Sequence, residues 1–145
     1  MLKHHPRMTH WISLIWLLLL LQGCLSLPVT HYDNTTYTNL TSLKAETTLL
    51  VKSFDKKPIE KNQIAIEQVQ LNLHKAYEYE VGKGDKNSDT IKQFNKIIDL
   101  FEQDIHDYQE GGPGAFGKHY FNATAKLLGQ AFDIVIATEN TKNNR

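Results

Sequence analysis

Two side chains of this 145-residue sequence have the types and spacing of metal ligands. Glu102 and His106 lie four residues apart in a segment with helical periodicity, so both would project from one helix face and could share a metal ion. A protein metal site needs three or four ligands, and no further ligand cluster accompanies this pair in the sequence. We therefore interpret the pair as an ordinary surface pair and predict no metal and no cofactor.

A glycine-rich run has the spacing of a dinucleotide-binding fingerprint. Residues 112–117 read Gly-Pro-Gly-Ala-Phe-Gly. In dinucleotide-binding folds this run follows a strand, so that the phosphate meets the N-terminus of the next helix. Because a helical pattern precedes the run here, we predict a flexible turn between two helices.

No side chain has the context of an activated nucleophile. Ser42, Ser53 and Ser88 lie near predicted helix ends, where hydroxyls cap backbone groups. The carboxylates are spread along polar faces, and no spacing selects a pair for acid–base catalysis. The sequence therefore predicts a protein that is not an enzyme, with no small-molecule substrate.

A short basic cluster is the strongest candidate for a binding site. Its members are Lys52, Lys56, Lys57 and Lys61. Asp55 and Glu60 offset part of the charge, and over the whole chain 16 basic residues balance 16 acidic ones. This balance argues against a nucleic-acid partner held by bulk positive charge. Short charge clusters are usually solvated, so the residues alone favour a solvated turn between two helices. The functional alternative is contact with anionic phospholipid, since a lysine near an anionic membrane contributes about 1 kcal/mol to binding.

The first 26 residues have the composition of a secretory signal peptide. Lys3 and Arg7 precede an apolar run at 11–21, which is shorter than the roughly 20 residues of a membrane-spanning helix. We expect cleavage after Ser26 and a secreted, extracellular protein. The alternatives are an uncleaved anchor and a bacterial lipoprotein acylated at Cys24, the single cysteine.

Three Asn-x-Thr triplets support the secretory route. Asn34, Asn39 and Asn122 are the candidate N-glycosylation sites. Because one cysteine cannot build a disulfide framework, we expect the extracellular domain to be held together by packing alone.

Four segments carry apolar residues at alternating spacings of three and four, which is typical of amphipathic helices. They lie at 40–54, 59–81, 91–108 and 116–139. Residues 64–81 also alternate as a strand does, but they belong to a stretch of 23 residues without Gly or Pro, 59–81, whose length favours a helix. We predict an all-α fold, a small antiparallel bundle of about four helices at 39–139. A flexible arm at 27–38 would precede it, and a polar tail at 140–145 would follow.

One stretch carries a family resemblance. Residues 101–110 read Phe-Glu-Gln-Asp-Ile-His-Asp-Tyr-Gln-Glu, and Gly111, Gly112 and a glycine-containing apolar segment at 116–129 follow. Over the last half of the chain, this pattern resembles the Turandot proteins, secreted humoral stress factors of flies. The resemblance implies a non-enzymatic protective role in the response to infection, heat or other stress, and binding to anionic phospholipid on host cells.

The leading functional hypothesis is therefore a secreted humoral factor in the response to stress or infection, with anionic phospholipid as its partner. The alternative is a cytokine-like helical ligand for a cell-surface receptor, which would use the same architecture.

Overall fold

The structure, a computed structural model, describes residues 31–142. Its helices are α1 (Asn34–Phe54), α2 (Gln63–Val81), α3 (Ser88–Gly111) and α4 (Tyr120–Lys142). Short 3₁₀ turns, Ile59–Lys61 and Asp85–Asn87, precede α2 and α3. The prediction of an all-α bundle of about four helices is confirmed, and 64–81 is helical. The signal peptide expected at 1–26, with Cys24, lies outside the described residues.

The helices run antiparallel to their neighbours. Each helix packs against the next one along the chain, and α4 packs most extensively against α1, which closes the bundle. Thr36 at the start of α1 bonds Glu80 at the end of α2, and Thr90 at the start of α3 bonds Glu139 near the end of α4. The pairs α1–α2 and α3–α4 are thus two helical hairpins, and the open ends of both lie at the same end of the bundle.

Within residues 31–142, every helix is too short or too polar to span a membrane.

The core is formed by one stripe from each helix. Six aromatic rings are almost fully buried, and each contributes about 1.5–3 kcal/mol through loss of water contact. They are Phe54, Phe94, Phe101, Tyr108, Phe121 and Phe132. The rings of Phe54 and Tyr108 stack with centroids 4.0 Å apart, and Phe121 meets both edge-on. Packing of these stripes is what holds the described part of the chain together.

The buried stripe of α3 is rotated from the one that the sequence predicts. The spacings of three and four in this segment predict a stripe, widened by Ile97, of Ile91, Phe94, Ile98, Phe101, Ile105 and Tyr108. Ile97 is fully buried, whereas Ile91 and Ile98 are only half-buried. The rotation also brings a carboxylate inside, since Asp104 is only 4% exposed. The periodicity alone does not distinguish these faces, because apolar residues lie on both sides of the stripe.

Several helix ends differ from the predicted boundaries. The arm predicted for 27–38 is wrong over 34–38, because α1 begins at Asn34. Asp33 caps it by accepting a 2.8 Å hydrogen bond from the backbone N–H of Thr35. The sequence predicts Asn39 or Thr38 as the cap, because the apolar periodicity begins at Leu40, but both residues lie inside the helix. The tail predicted for 140–145 is wrong over 140–142, where α4 continues. The predicted helices at 59 and 116 begin later, at Gln63 and Tyr120.

Candidate functional site

The lysine cluster lies at the end of α1 and in the connection to α2. All four side chains are exposed. Lys57 and Lys61 line a groove of about 500 Å³ between α1 and α2, whereas Lys52 and Lys56 lie outside its lining. In the described part of the chain, none of the four lysines forms an ion pair with a carboxylate. The cluster is therefore a group of uncompensated cations beside a groove.

The groove has an apolar floor and an apolar rim. Leu50 and Val69, both nearly buried, form part of the floor. Leu49 lines the same groove and is 68% exposed, and Ile64, at the start of α2, is 83% exposed. Large apolar side chains beside unpaired cations form a surface suited to an amphipathic, negatively charged ligand. We call the groove together with its lysines and these two side chains the basic groove.

The turn that carries the lysines is anchored by a buried tyrosine. The Tyr108 hydroxyl donates to the backbone carbonyl of Lys57 at 2.6 Å and accepts from Asn62 Nδ2 at 3.0 Å. Asn62 in turn accepts from Ser53 Oγ at 3.1 Å. Burial raises the pKa of Tyr108, against the effect of the Asn62 hydrogen bond, so the hydroxyl keeps the proton that it donates. Sequence reasoning placed Tyr108 in the core but missed this contact. The sequence does contain an indication of this contact. Tyr108 is the last residue of an apolar stripe, and the hydroxyl of a buried tyrosine usually finds a hydrogen-bond partner.

Asp55, which we expected to offset the charge of the lysines, instead forms hydrogen bonds with the start of α4. Its carboxylate accepts hydrogen bonds from the backbone N–H groups of Phe121 and Asn122, at 3.3 and 3.1 Å, and from Asn122 Nδ2 at 2.5 Å. It thus supplies the N-terminal cap of α4 from a position that is remote in sequence. Its negative charge is directed at that helix end and leaves the lysines without a carboxylate partner.

The three sequons are dispersed over the surface. Asn34 is exposed as the first residue of α1, and Asn39 is half-buried in a second groove between α1 and α2. Asn122 is exposed, but its amide donates to Asp55. Asn34 and Asn39 thus lie on α1, and Asn122 lies at the start of α4.

The remaining candidate motifs form no site. Glu102 and His106 are both exposed, and no group of three potential metal ligands occurs within residues 31–142. The run 112–117 forms the connection between α3 and α4, so the predicted interhelical turn is confirmed. Gly112, Gly114 and Gly117 have positive φ there, which only glycine adopts without strain.

A buried polar cluster that sequence reasoning missed lies at the other end of the bundle. Glu80 is 1% exposed and accepts hydrogen bonds from Thr36 Oγ1 at 2.5 Å, Lys83 Nζ at 3.1 Å and Asn87 Nδ2 at 2.7 Å. Asn87 precedes α3, where the sequence predicts Ser88 or Asn87 as the cap, but it makes no side-chain cap. Its Oδ1, the atom that would accept from a helix N–H, accepts from Lys142 Nζ, and its Nδ2 donates to Glu80. The signal in the sequence was Glu80 itself. The spacing of three and four that runs through Ile66, Val69, Leu73 and Ala76 leads to position 80, where an apolar residue would be expected.

Glu139 forms a second arrangement of the same kind. It is fully buried and accepts from Thr90 Oγ1 at 3.0 Å and from Lys142 Nζ, which also donates to Asn87 Oδ1 at 2.9 Å. The second carboxylate oxygen, Oε2, has no hydrogen-bond partner. A buried carboxylate is tolerated only with such bonds and a paired cation, so the lysines here hold the end of the bundle together.

The ion pair beside Glu80 shifts two pKa values. Burial acts to raise the pKa of Asp33, but hydrogen bonds from Lys83 and Tyr79 hold it well below its usual range. Burial acts to lower the pKa of Lys83, but its bonds to Asp33 and Glu80 raise it. Both residues therefore stay charged at neutral pH.

Together the fold and the basic groove define a small four-helix bundle with one amphipathic, cationic surface. No family model, curated protein or solved structure matches this chain. The resemblance to the Turandot proteins therefore stays a prediction.

Proposed function

We propose that the protein is a secreted, non-enzymatic humoral factor of the response to stress or infection that binds anionic phospholipid surfaces through the basic groove. The observation that carries this proposal is the combination of four unpaired lysines with the exposed side chains of Leu49 and Ile64. The lysines would attract the headgroups, and the two apolar side chains would enter the interface.

The magnitudes favour reversible binding. Each lysine near an anionic membrane contributes about 1 kcal/mol, so the cluster supplies up to about 4 kcal/mol. Burial of apolar surface adds about 25 cal/mol per Å². Salt screens the electrostatic part. Binding should therefore require anionic lipid and weaken as ionic strength rises.

Vesicle binding tests the proposal. We expect the protein to cosediment with phosphatidylcholine vesicles that contain phosphatidylserine, and not with phosphatidylcholine alone. The double variant Lys57→Gln/Lys61→Gln should bind about 30-fold more weakly, since two lysines contribute about 2 kcal/mol. The matched control Lys92→Gln/Lys96→Gln removes two exposed lysines of α3 and should bind as the parent does. Equal binding to both vesicles, or an equal loss in the control, would contradict the proposal.

A cytokine-like ligand is the second candidate function. The observation in its favour is an apolar pair on the outer face of α4, where Leu127 and Ile134 are each 59% exposed and lie two turns apart. Saturable, high-affinity binding to a cell-surface protein that is insensitive to lipid composition would favour this function over the first.

The physiological part of the proposal has a separate test. Abundance of the protein should rise after heat or bacterial challenge, and constant levels under every stress would contradict the humoral role. Mass spectrometry of the secreted chain should find an N-terminus at Leu27 and reveal which of the three sequons carries glycan.

A further inference from the structure

The buried residues of α1 and α3 occupy equivalent positions along the two helices, although most of their types differ. Each buried position of α1 has a buried counterpart in α3 at one constant separation along the chain, from Thr36 and Thr90 to Phe54 and Tyr108. The α1 set is Thr36, Leu40, Leu43, Thr47, Leu50, Val51 and Phe54. The α3 set is Thr90, Phe94, Ile97, Phe101, Asp104, Ile105 and Tyr108.

The second helix of each hairpin shows the same correspondence. Every buried residue of α2 has a buried counterpart in α4 at a constant separation, and the match extends back to Asn62 and Phe121. The α2 set is Ile66, Val69, Leu73, Ala76 and Glu80. The matching α4 set is Ala125, Leu128, Phe132, Val135 and Glu139. Gly129 is the one further buried position of α4, and its counterpart Gln70 is half-buried.

Helical periodicity alone would allow several alignments of the two hairpins. The contacts of one polar cluster in each hairpin select a single alignment. Lys83 Nζ contacts Asp33, Thr36 and Glu80. At the same alignment, Lys142 Nζ contacts Asn87, Thr90 and Glu139.

In both cases the threonine hydroxyl donates to the glutamate. Asp33 and Asn87 occupy the same place as well, at the N-cap positions of α1 and α3. Three of these four positions carry the same residue type in both hairpins, and the fourth carries Asp in one and Asn in the other. Amphipathic patterning does not explain this agreement.

The packing has the corresponding symmetry. Phe54 and Tyr108 are counterparts, and their rings stack almost parallel, at 4° and 4.0 Å between centroids. Two equivalent side chains in face-to-face contact are what a two-fold axis between them produces. The pairs α1–α2 and α3–α4 are equivalent under this axis, as are α2–α3 and α4–α1, and all four are neighbouring pairs. The axis is approximate, because α4 packs more extensively on α1 than α2 does on α3.

We infer that the bundle consists of two copies of one helical hairpin, residues 33–83 and 87–142, related by an approximate two-fold axis. The two hairpins contact each other through equivalent surfaces, and the partner that fits each hairpin is the other hairpin of a second copy of this chain. In a dimer that exchanges hairpins, every contact between hairpins is kept and only the linker at 84–86 changes course. Gly84, with φ of +79°, reverses the chain in that linker.

Shortening the linker tests the inference in the whole protein. Neighbouring antiparallel helices lie about 8–10 Å apart, and one peptide unit spans about 3.8 Å. Deletion of residues 82–86 leaves Asn87 as the only residue between Val81, the end of α2, and Ser88, the start of α3. Two peptide units reach about 7.6 Å, and antiparallel helices need a loop of at least about two residues, so the second hairpin cannot fold back onto the first. We expect light scattering to give twice the monomer mass, with parent-like helicity by circular dichroism. Replacement of the same five residues by Gly-Ser-Gly-Ser-Gly keeps the length and should give a monomer. A native-like monomer from the deletion variant would overturn the inference.

A circular permutant keeps the inference testable if the deletion variant does not fold. The permutant begins at Asn87, joins Lys142 to Asp33 through a copied Gly-Asp-Lys linker, and ends at Lys83. The two-fold axis makes the gap between Lys142 and Asp33 equivalent to the gap between Lys83 and Asn87. A linker that spans the second gap in the parent should therefore span the first gap in the permutant. We expect a folded monomer whose urea midpoint is close to that of the parent. An unfolded or aggregated permutant would contradict the two-fold relation.

Discussion

Asp104 is a carboxylate in the core stripe of α3, and its removal should stabilise the protein in a pH-dependent way. The side chain is only 4% exposed and follows Phe101 by one helical turn. Burial raises the pKa of Asp104 to about 6; the nearby charge of Asp107 adds to this, and a hydrogen bond from Thr124 opposes it. At neutral pH the folded protein must therefore hold an ionised group in a site that disfavours the charge.

The magnitude follows from linkage. The pKa rises from 3.8 to about 6 on folding, and each unit corresponds to about 1.4 kcal/mol, so the group accounts for up to about 3 kcal/mol. Between these two pKa values the folded state binds more protons than the unfolded state. Stability from this group is therefore fully present below pH 3.8 and is lost as the pH rises through about 6.

The variant Asp104→Asn removes this titration while preserving side-chain size. We expect the difference in unfolding free energy, variant minus parent, to be larger by about 2–3 kcal/mol at about pH 7.5 than at about pH 4. Urea unfolding followed by circular dichroism measures it. Other groups, including Asp33, titrate in both proteins and cancel in the difference. The control Asp99→Asn lies on the exposed face of α3 and should show almost no pH dependence. A difference that is constant with pH for Asp104→Asn would refute the reasoning.

Three further substitutions separate packing from hydrogen bonding, each measured by urea unfolding. Gly129→Ala should stabilise by about 1 kcal/mol, because the new methyl group meets Thr48 Cγ2 at an ordinary 3.5 Å; a loss of stability would contradict the described packing of α4 on α1. Gly111→Ala should instead destabilise by about 1 kcal/mol, because its Cβ would lie 2.7 Å from the Phe116 ring; a gain would show that the turn yields freely. Tyr108→Phe should cost about 1–3 kcal/mol, because it leaves the buried Asn62 amide and the Lys57 carbonyl without the hydroxyl as partner; an unchanged midpoint would mean that the turn is held by packing alone.

Part of the basic groove could be predicted from the sequence. The four lysines are close in the chain, so their proximity needed no tertiary information. The groove beside them did need it, since Leu50 and Val69 lie on different helices. The availability of the lysines also depended on tertiary contacts, because Asp55 caps α4 instead of pairing with them.

The sequence by itself determined the helical segments and the breaks between them. Helical hydrogen bonds and apolar periodicity are local, so four stripes and the intervening glycines and proline were sufficient to predict an all-α bundle. The start of α1 at Asn34 was missed because a run of Thr and Asn lacks apolar periodicity, although Asp33 supplies a local cap.

Only the tertiary structure decided which polar groups are buried and what satisfies them. The bond of Asn62 to Tyr108, the Asp55 cap of α4 and the clusters around Glu80 and Glu139 join residues from different helices or their connections. Such contacts leave no periodic signal along the chain. They form because an unpaired polar group in a packed core costs more than the entropy lost in orienting its partner.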